Sequence, residues 1–457
     1  MSWPYIAWIL LLASLTGCTG VPTPSEQAAR RDLGAVAFRY RPGDAKPELP
    51  VLTTESGLEE YLRFAMLNNP RIEAAYYDWA ASVEQVTTAR SLPDPRLTFE
   101  ADITSVLMSA MVGLMVDLPG PGKLQAAGDV AATDSQGRYF AFETEVLRTA
   151  FAVKRAYYQL HFLEDTIRVQ RETLKFLGDL ERLAQQQNAA GRTTLQDVLR
   201  AQIEQERLKT QIENLEDSRG TLVSEFKAAL GLGPDKPDPP VPERFVASGS
   251  APDREEILQI ALRRNPSIRR MAADVRQAQA MLDLARKSGV PDFSIGLEAD
   301  VRANPTVLRP SFSMTLPIWQ DKIAAEIARA QAGKQAAEAR LSGEQIQLAT
   351  DLTAMLYMYR ESVRNAALLD GRLVPKGRQA LQVARAGYSN GKSSFLDMIE
   401  GYRQLLDFEL SLVEARAQRE LSLASLSLLI SGVPPQGSPT LSAAEEADRS
   451  NAKEISR

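Results

Sequence analysis

The chain has 457 residues, 24% of them charged, with a formal net charge of −5, one His and one Cys. A mildly acidic balance without a basic block argues against a nucleic-acid partner. A single His and a single Cys supply neither a soft-metal ligand set nor an internal disulfide, so no metal site and no cofactor are expected.

In chain order, the first segment is the apolar run "WPYIAWILLLASLTGC". It ends in small residues and reads as a secretory signal over residues 1–17. Leu15-Thr16-Gly17-Cys18 resembles the lipobox of bacterial lipoproteins. That resemblance implies that Cys18 becomes the lipidated first residue of the mature chain, and Thr19 behind it implies sorting to the outer membrane. Residues 18–54 then read as extended. No later run is apolar and long enough for a membrane helix, so a further crossing needs strands in a closed barrel.

The rest is an internal duplication. "NNPRIEAAYYDWAASVEQVTTAR" matches "RNPSIRRMAADVRQAQAMLDLAR", "PDPRLTFEAD" matches "PDFSIGLEAD", and "DLPGPGK" matches "TLPIWQDK". "AAGRTTLQDVLRA" matches "SNGKSSFLDMIEG" at nearly the same offset. Residues 55–232 and 253–432 are therefore two copies of one unit, joined by a Pro-rich linker at 233–252 and followed by a flexible tail at 433–457. Each copy reads as helix, two strands, very long helix, tight turn, helix.

Strand pairs are expected at 97–118 and 293–317, where apolar and polar residues alternate. Leu97, Phe99 and Ala101 face one way and Thr98, Glu100 and Asp102 the other; Phe293, Ile295 and Leu297 oppose Ser294, Gly296 and Glu298. A lipid-out, water-in barrel wall fits that pattern, and four strands cannot close a barrel without other chains. Methionines of the run "VLMSAMVGLMV" read as lipid-facing packing rather than as Cu(I) ligands.

From about Lys123 to Gln187 the chain is free of proline, and about 65 residues of helix span roughly 100 Å. The matching helix over about 322–386 should kink at Pro375. Such lengths call for coiled-coil packing, and the returning helix carries a seam of Ala201, Leu208, Leu215, Leu222 and Ala229 beside Val198, Ile212 and Phe226. Gln205 and Arg219 interrupt the second row.

Gly391-Lys392-Ser393 looks at first like a phosphate-binding loop. However, Gly387 precedes Gly391 by one residue too few, helix rather than strand lies upstream, and the feature occurs twice. H-E-x-x-H and G-x-S-x-G are absent, and the sole histidine, His161, sits inside the first long helix, so an enzyme is not expected.

The ordered duplication resembles the TolC-like outer-membrane efflux proteins (the outer-membrane factor family) over about residues 55–432. The resemblance implies a mainly α fold, with duplicated long helical hairpins forming a trimeric α-barrel tunnel and four strands per chain entering a 12-stranded transmembrane β-barrel. It implies a passive exit duct working with a periplasmic adaptor (membrane fusion) protein and an inner-membrane efflux pump, embedded in outer-membrane lipid. The turns 189–195 and 387–394 would be periplasmic tips meeting the adaptor through Gly191, Arg192, Thr193, Gly391, Lys392 and Ser393. Gly suits such reversals, and Thr194 and Ser394 would cap the returning helices.

By the same resemblance Tyr388, Asp397 and Glu400 belong to a gate. Spacing i, i+3 puts both carboxylates on one helix face, and three copies make two stacked acidic rings. Asp197 would latch neighbouring helices through a basic residue; that position is Ser393 in this chain, leaving Lys392 or Arg200 to substitute. The alternative function is a nonconducting coiled-coil lipoprotein scaffold spanning the periplasm.

Overall fold

Proline, asparagine and glycine punctuate the chain where its elements begin and end. The computed structural model describes residues 22–103, 107–242, 254–303 and 305–430. The signal segment, Cys18 and the C-terminal tail lie outside them. The elements are α1 (Pro24–Tyr40), α2 (Leu58–Asn68), α3 (Pro70–Arg90), β1 (Arg96–Ile103), β2 (Leu107–Leu118), α4 (Lys123–Ala189) and α5 (Leu195–Ala229). The second copy gives α6 (Arg254–Arg264), α7 (Pro266–Arg286), β3 (Phe293–Asp300), β4 (Val307–Met314) and α8 (Gln320–Leu368). A π turn (Leu369–Leu373) leads to α9 (Val374–Ser389), and α10 (Phe395–Leu429) returns.

Helix α1 corrects the expectation that residues 18–54 are extended. Its start signal is Thr23-Pro24-Ser25-Glu26: the Thr23 hydroxyl accepts from the Glu26 N–H at 3.2 Å, and proline suits the first helical position. Described residues of the expected linker are pinned rather than free. Tyr61 Oη donates to the Pro240 carbonyl at 2.9 Å, and Lys227 Nζ donates to the Pro234 carbonyl at 3.2 Å.

Two compact units divide the chain. One comprises the described residues up to Phe38 with Tyr76–Phe140 and Arg269–Ser342. It holds one sheet, ordered β1-β2-β3-β4, with every neighbouring pair antiparallel. Its register puts Leu97 opposite Leu114, Phe99 opposite Val112, and Leu114 opposite Leu297. These apolar side chains are exposed, Leu97 at 76% and Phe312 at 67%, so the sheet has a bare hydrophobic face and two unpaired edges. In the same unit α1 docks on α3 through Glu26. Its carboxylate, 1% exposed, accepts from Arg90, from Thr87 at 2.7 Å and from Arg30 at 3.1 Å.

The other unit comprises the described residues of Arg39–Ala75, of Ala141–Ile268 and from Gly343 onward. Along α5 the seam residues Val198, Ala201, Leu208, Ile212, Phe226 and Ala229 are buried. The two polar interruptions are paired with α4: Gln205 Nε2 donates to Glu181 at 2.7 Å, and Arg219 lies 2.8 Å from Glu164. The duplicated Asn-Pro has one role in both copies. Asn69 Oδ1 accepts from the Arg71 N–H and its amide donates to the Ala229 carbonyl at the end of α5. Asn265 likewise accepts from the Ser267 N–H and donates to the Leu429 carbonyl at the end of α10. Each asparagine thus caps one helix start and one helix end.

Candidate functional site: the two hairpin tips

Both tips are built by the same backbone device. Gly191 has φ +70° and Gly391 φ +69°. The Arg192 N–H donates to the Gln187 carbonyl and the Gly191 N–H to Asn188; the Lys392 N–H donates to Gly387 and the Gly391 N–H to Tyr388. This paired bonding is a Schellman motif, which satisfies the last carbonyls of a helix and needs a left-handed residue. Gly391-Lys392-Ser393 is therefore a helix end between two helices, not a phosphate cradle. At the second tip Gly387 packs so closely that a Cβ there would overlap the Ser393 hydroxyl.

The returning helices start differently. Ser394 Oγ accepts from the Asp397 N–H at 3.1 Å, and Asp397 Oδ2 accepts from the Ser394 N–H at 2.9 Å, a reciprocal capping box. Hydrogen bonding to the carboxyl, first from the Ser394 backbone N–H and then from its hydroxyl, holds Asp397 below its ordinary pKa. Thr194 occupies the matching position without a side-chain cap bond, which corrects the expectation that both hydroxyls cap. Asp397 and Glu400 are both exposed on one face of α10.

Behind the tips the two hairpins share one core of Leu177, Leu180, Val198, Leu381, Met398 and Tyr402. Tyr388 belongs to it, 4% exposed, with its ring edge-on to Phe395 at 5.6 Å. Its hydroxyl and Thr193 Oγ1 are buried, and neither completes a hydrogen bond. Burial pushes the phenol pKa up; Thr193 lies near enough to oppose that shift without being aligned as a bond, and the Asp197 charge adds to the rise. The fold thus brings Tyr388, Thr193 and Asp197 together from two tips.

The basic partner of Asp197 is Arg200, 4.0 Å away on the same helix. Burial nevertheless raises the Asp197 pKa, with Arg200 opposing. Lys392 and Arg192 are exposed, and neither takes an ion-pair partner among the described residues. An ion pair that sequence reading missed joins the hairpins one turn further in, Glu204 of α5 with Arg403 of α10. The repeat register gave no direct signal for it, since Glu204 matches Gln404 and Arg403 matches Ile203.

The polar face of the sheet is a second candidate surface. Arg96 pairs with Asp117 at 2.7 Å, Ser294 Oγ donates to Asp117 at 2.7 Å, and Glu298 accepts from Thr98 at 3.4 Å. Met111 and Met115 lie on this face, opposite Glu100 and Arg96. Met111 Sδ accepts from Arg309 at 3.2 Å and Met115 Sδ from Arg96 at 3.7 Å. The expectation of lipid-facing methionines is therefore wrong at these two positions: alternation sends their neighbours Val112 and Leu114 to the apolar side. Among the described residues no cluster of three or more His, Cys, Asp or Glu is placed to hold a metal ion.

Known proteins fit this geometry. A family model described as outer membrane efflux protein matches residues 62–232 and 257–432. The cobalt-zinc-cadmium resistance protein CzcC of Cupriavidus metallidurans is 22% identical over 395 residues, covering 84% of this chain and 90% of that protein. The outer-membrane channel OprN superposes with a TM-score of 0.72 at 17% identity, covering 82% of this chain and 90% of its own. For VceC from Vibrio cholerae the TM-score is 0.69 at 16% identity, covering 82% and 96%. The long helical hairpins and the four-stranded sheet are thus the fold of these channels.

Proposed function

The chain belongs to the outer membrane efflux protein family, and on that premise we propose that it is the passive exit duct of a tripartite efflux system. Three copies close their sheets into one 12-stranded barrel. A periplasmic adaptor engages the tips, and an inner-membrane pump supplies the energy.

One observation carries this reading: a single sheet with an exposed apolar face, a charged face and two open edges. In water that arrangement leaves hydrophobic surface and backbone groups unsatisfied. In a bilayer, closure with further copies satisfies both. A coiled-coil scaffold gives no reason for the two-faced sheet.

At the tips, Asp397 and Glu400 form the acidic rings that favour cations. Tyr388, Thr193 and Asp197 hold the two hairpins together in the closed state, with Arg200 rather than Lys392 beside Asp197. The turns at Gly191, Arg192 and Thr193 and at Gly391, Lys392 and Ser393 are the adaptor contacts, with Arg192 and Lys392 the exposed side chains. Cys18 carries the lipid; five residues lie between it and Pro24, a reach of about 22 Å at most. The name of the Cupriavidus relative points to divalent metal cations as cargo. Glu100, Asp117, Glu298 and Asp300 against Arg96 and Arg309 on the polar strand face suit cations better than anions.

Planar-bilayer recording of the purified full-length protein tests the duct. We expect discrete, cation-preferring channels, and a weaker cation preference when Asp397→Asn and Glu400→Gln are combined. Absence of any conductance, even in that double variant, would favour the scaffold.

A further inference from the structure

The second hairpin departs from the first at one place. Residues 169–173 run as uninterrupted α-helix within α4, whereas the matching stretch Leu369–Leu373 is a single π turn between α8 and α9. Backbone angles stay helical on both sides, with φ −66° and ψ −48° at Leu368 and φ −60° and ψ −46° at Val374. The Val374 N–H donates to the Leu369 carbonyl, five residues back. One extra residue is thus held in the turn while the helix continues. Pro375 follows at once; it has no N–H, and its ring crowds the carbonyl four residues earlier, on Gly371. A wider turn gives that carbonyl room.

Packing around the turn is separate from packing at the tip. Leu369, Val374, Leu412 and Ala415 form a small buried cluster, distinct from the tip core, and Leu405 touches both. A cleft of about 470 Å³ lies beside the turn, lined in part by Met358, Ser362, Leu369, Phe408 and Ser411. Two ion pairs bracket it, Asp370 with Arg416 at 3.3 Å and Arg378 with Glu409 at 2.7 Å. The first is exposed on both sides and resists movement only weakly. A break in the α-helical i→i−4 ladder, its own small core and adjacent free space are the properties of a hinge.

We propose that the Leu369–Leu373 turn is a joint about which α9 swings against α8 when the tip opens, while α4, lacking such a turn, stays straight through the matching residues. This assignment rests on the duct reading for its purpose. It does not rest on it for its mobility, which is measurable alone.

Hydrogen exchange of the full-length assembled protein is the test. Amides of residues 370–374 are expected to exchange at least tenfold faster than those of 170–174. Deleting Gly371, which is exposed with open space around it, removes the extra residue and should bring the two rates within a factor of about two. If the deletion variant does not assemble, Pro375→Ala, which restores an N–H, should slow exchange in the same direction. Equal exchange of the two segments in the wild type overturns the joint. In single-channel records the deletion variant should open at least tenfold less often at unchanged unitary conductance, and an unchanged open probability overturns the coupling to the gate. A wild type that never conducts overturns the duct reading instead, and the exchange comparison still decides the joint.

Discussion

At the scale of single residues, the tips show how one sequence pattern acquires two meanings. Ser394 and Asp397 close a reciprocal cap, while Thr194 and Asp197 stand in the same pattern without it. Ser394→Ala should therefore cost about 1 kcal/mol of tip stability, and Thr194→Ala clearly less, as read from amide exchange in the first turn of each returning helix. Equal losses would contradict the asymmetry. Gly191→Ala and Gly391→Ala force a Cβ into a left-handed residue and should each cost about 1 kcal/mol or more. Loss of protection confined to residues near the altered tip would mark that effect. Gly-x-x-x-x-x-Asp was legible as a turn because positive φ selects glycine. The approach of Tyr388 to Thr193 was not, because it depends on how two hairpins 200 residues apart pack.

At the scale of elements, period and punctuation explain most of what sequence could reveal. Alternation fixed the sheet faces, and it also put Met111 and Met115 on the charged face; reading the run for composition rather than parity missed that. Thr23-Pro24-Ser25-Glu26 was a legible helix start hidden in a segment that composition suggested was extended. Pro375 was expected to kink its helix; a π turn at Leu369–Leu373 stands just before it, and the single inserted residue was not legible because the helix there has no continuous apolar stripe whose phase would show the slip.

Helix α1 also carries a pH prediction. The Arg90 hydrogen bond, helped by Thr87 and Arg30 against the cost of burial, lowers the Glu26 pKa from 4.5 to about 2. A depressed carboxyl pKa adds stability above the unfolded value and loses it as pH falls through the folded one, so the contribution fades between about pH 4.5 and pH 2. Its size is about 3 kcal/mol at most. Glu26→Gln should expose α1 to proteolytic nicking at pH 7, whereas the wild type should keep α1 protected down to about pH 4. Equal protection of variant and wild type would contradict the role given to Glu26.

At the scale of the whole molecule, duplication is the governing fact. Each repeat delivers two strands and one long hairpin, and the Asn-Pro motif ties the end of each hairpin to the start of an earlier helix of the same repeat, α3 or α7. Helix lengths, turn positions and the two-faced sheet were legible because each follows from local rules. Closure of the sheet is not local: among the described residues β1 and β4 end as open edges, which the proposed duct covers with further copies of the chain.

The most direct test of that closure is native mass spectrometry of the full-length protein extracted from the outer membrane in mild detergent. A complex of three identical chains is expected to survive transfer to the gas phase, each chain carrying the mass of a lipidated Cys18. A single chain as the only species, with no membrane-embedded sheet, would contradict that closure.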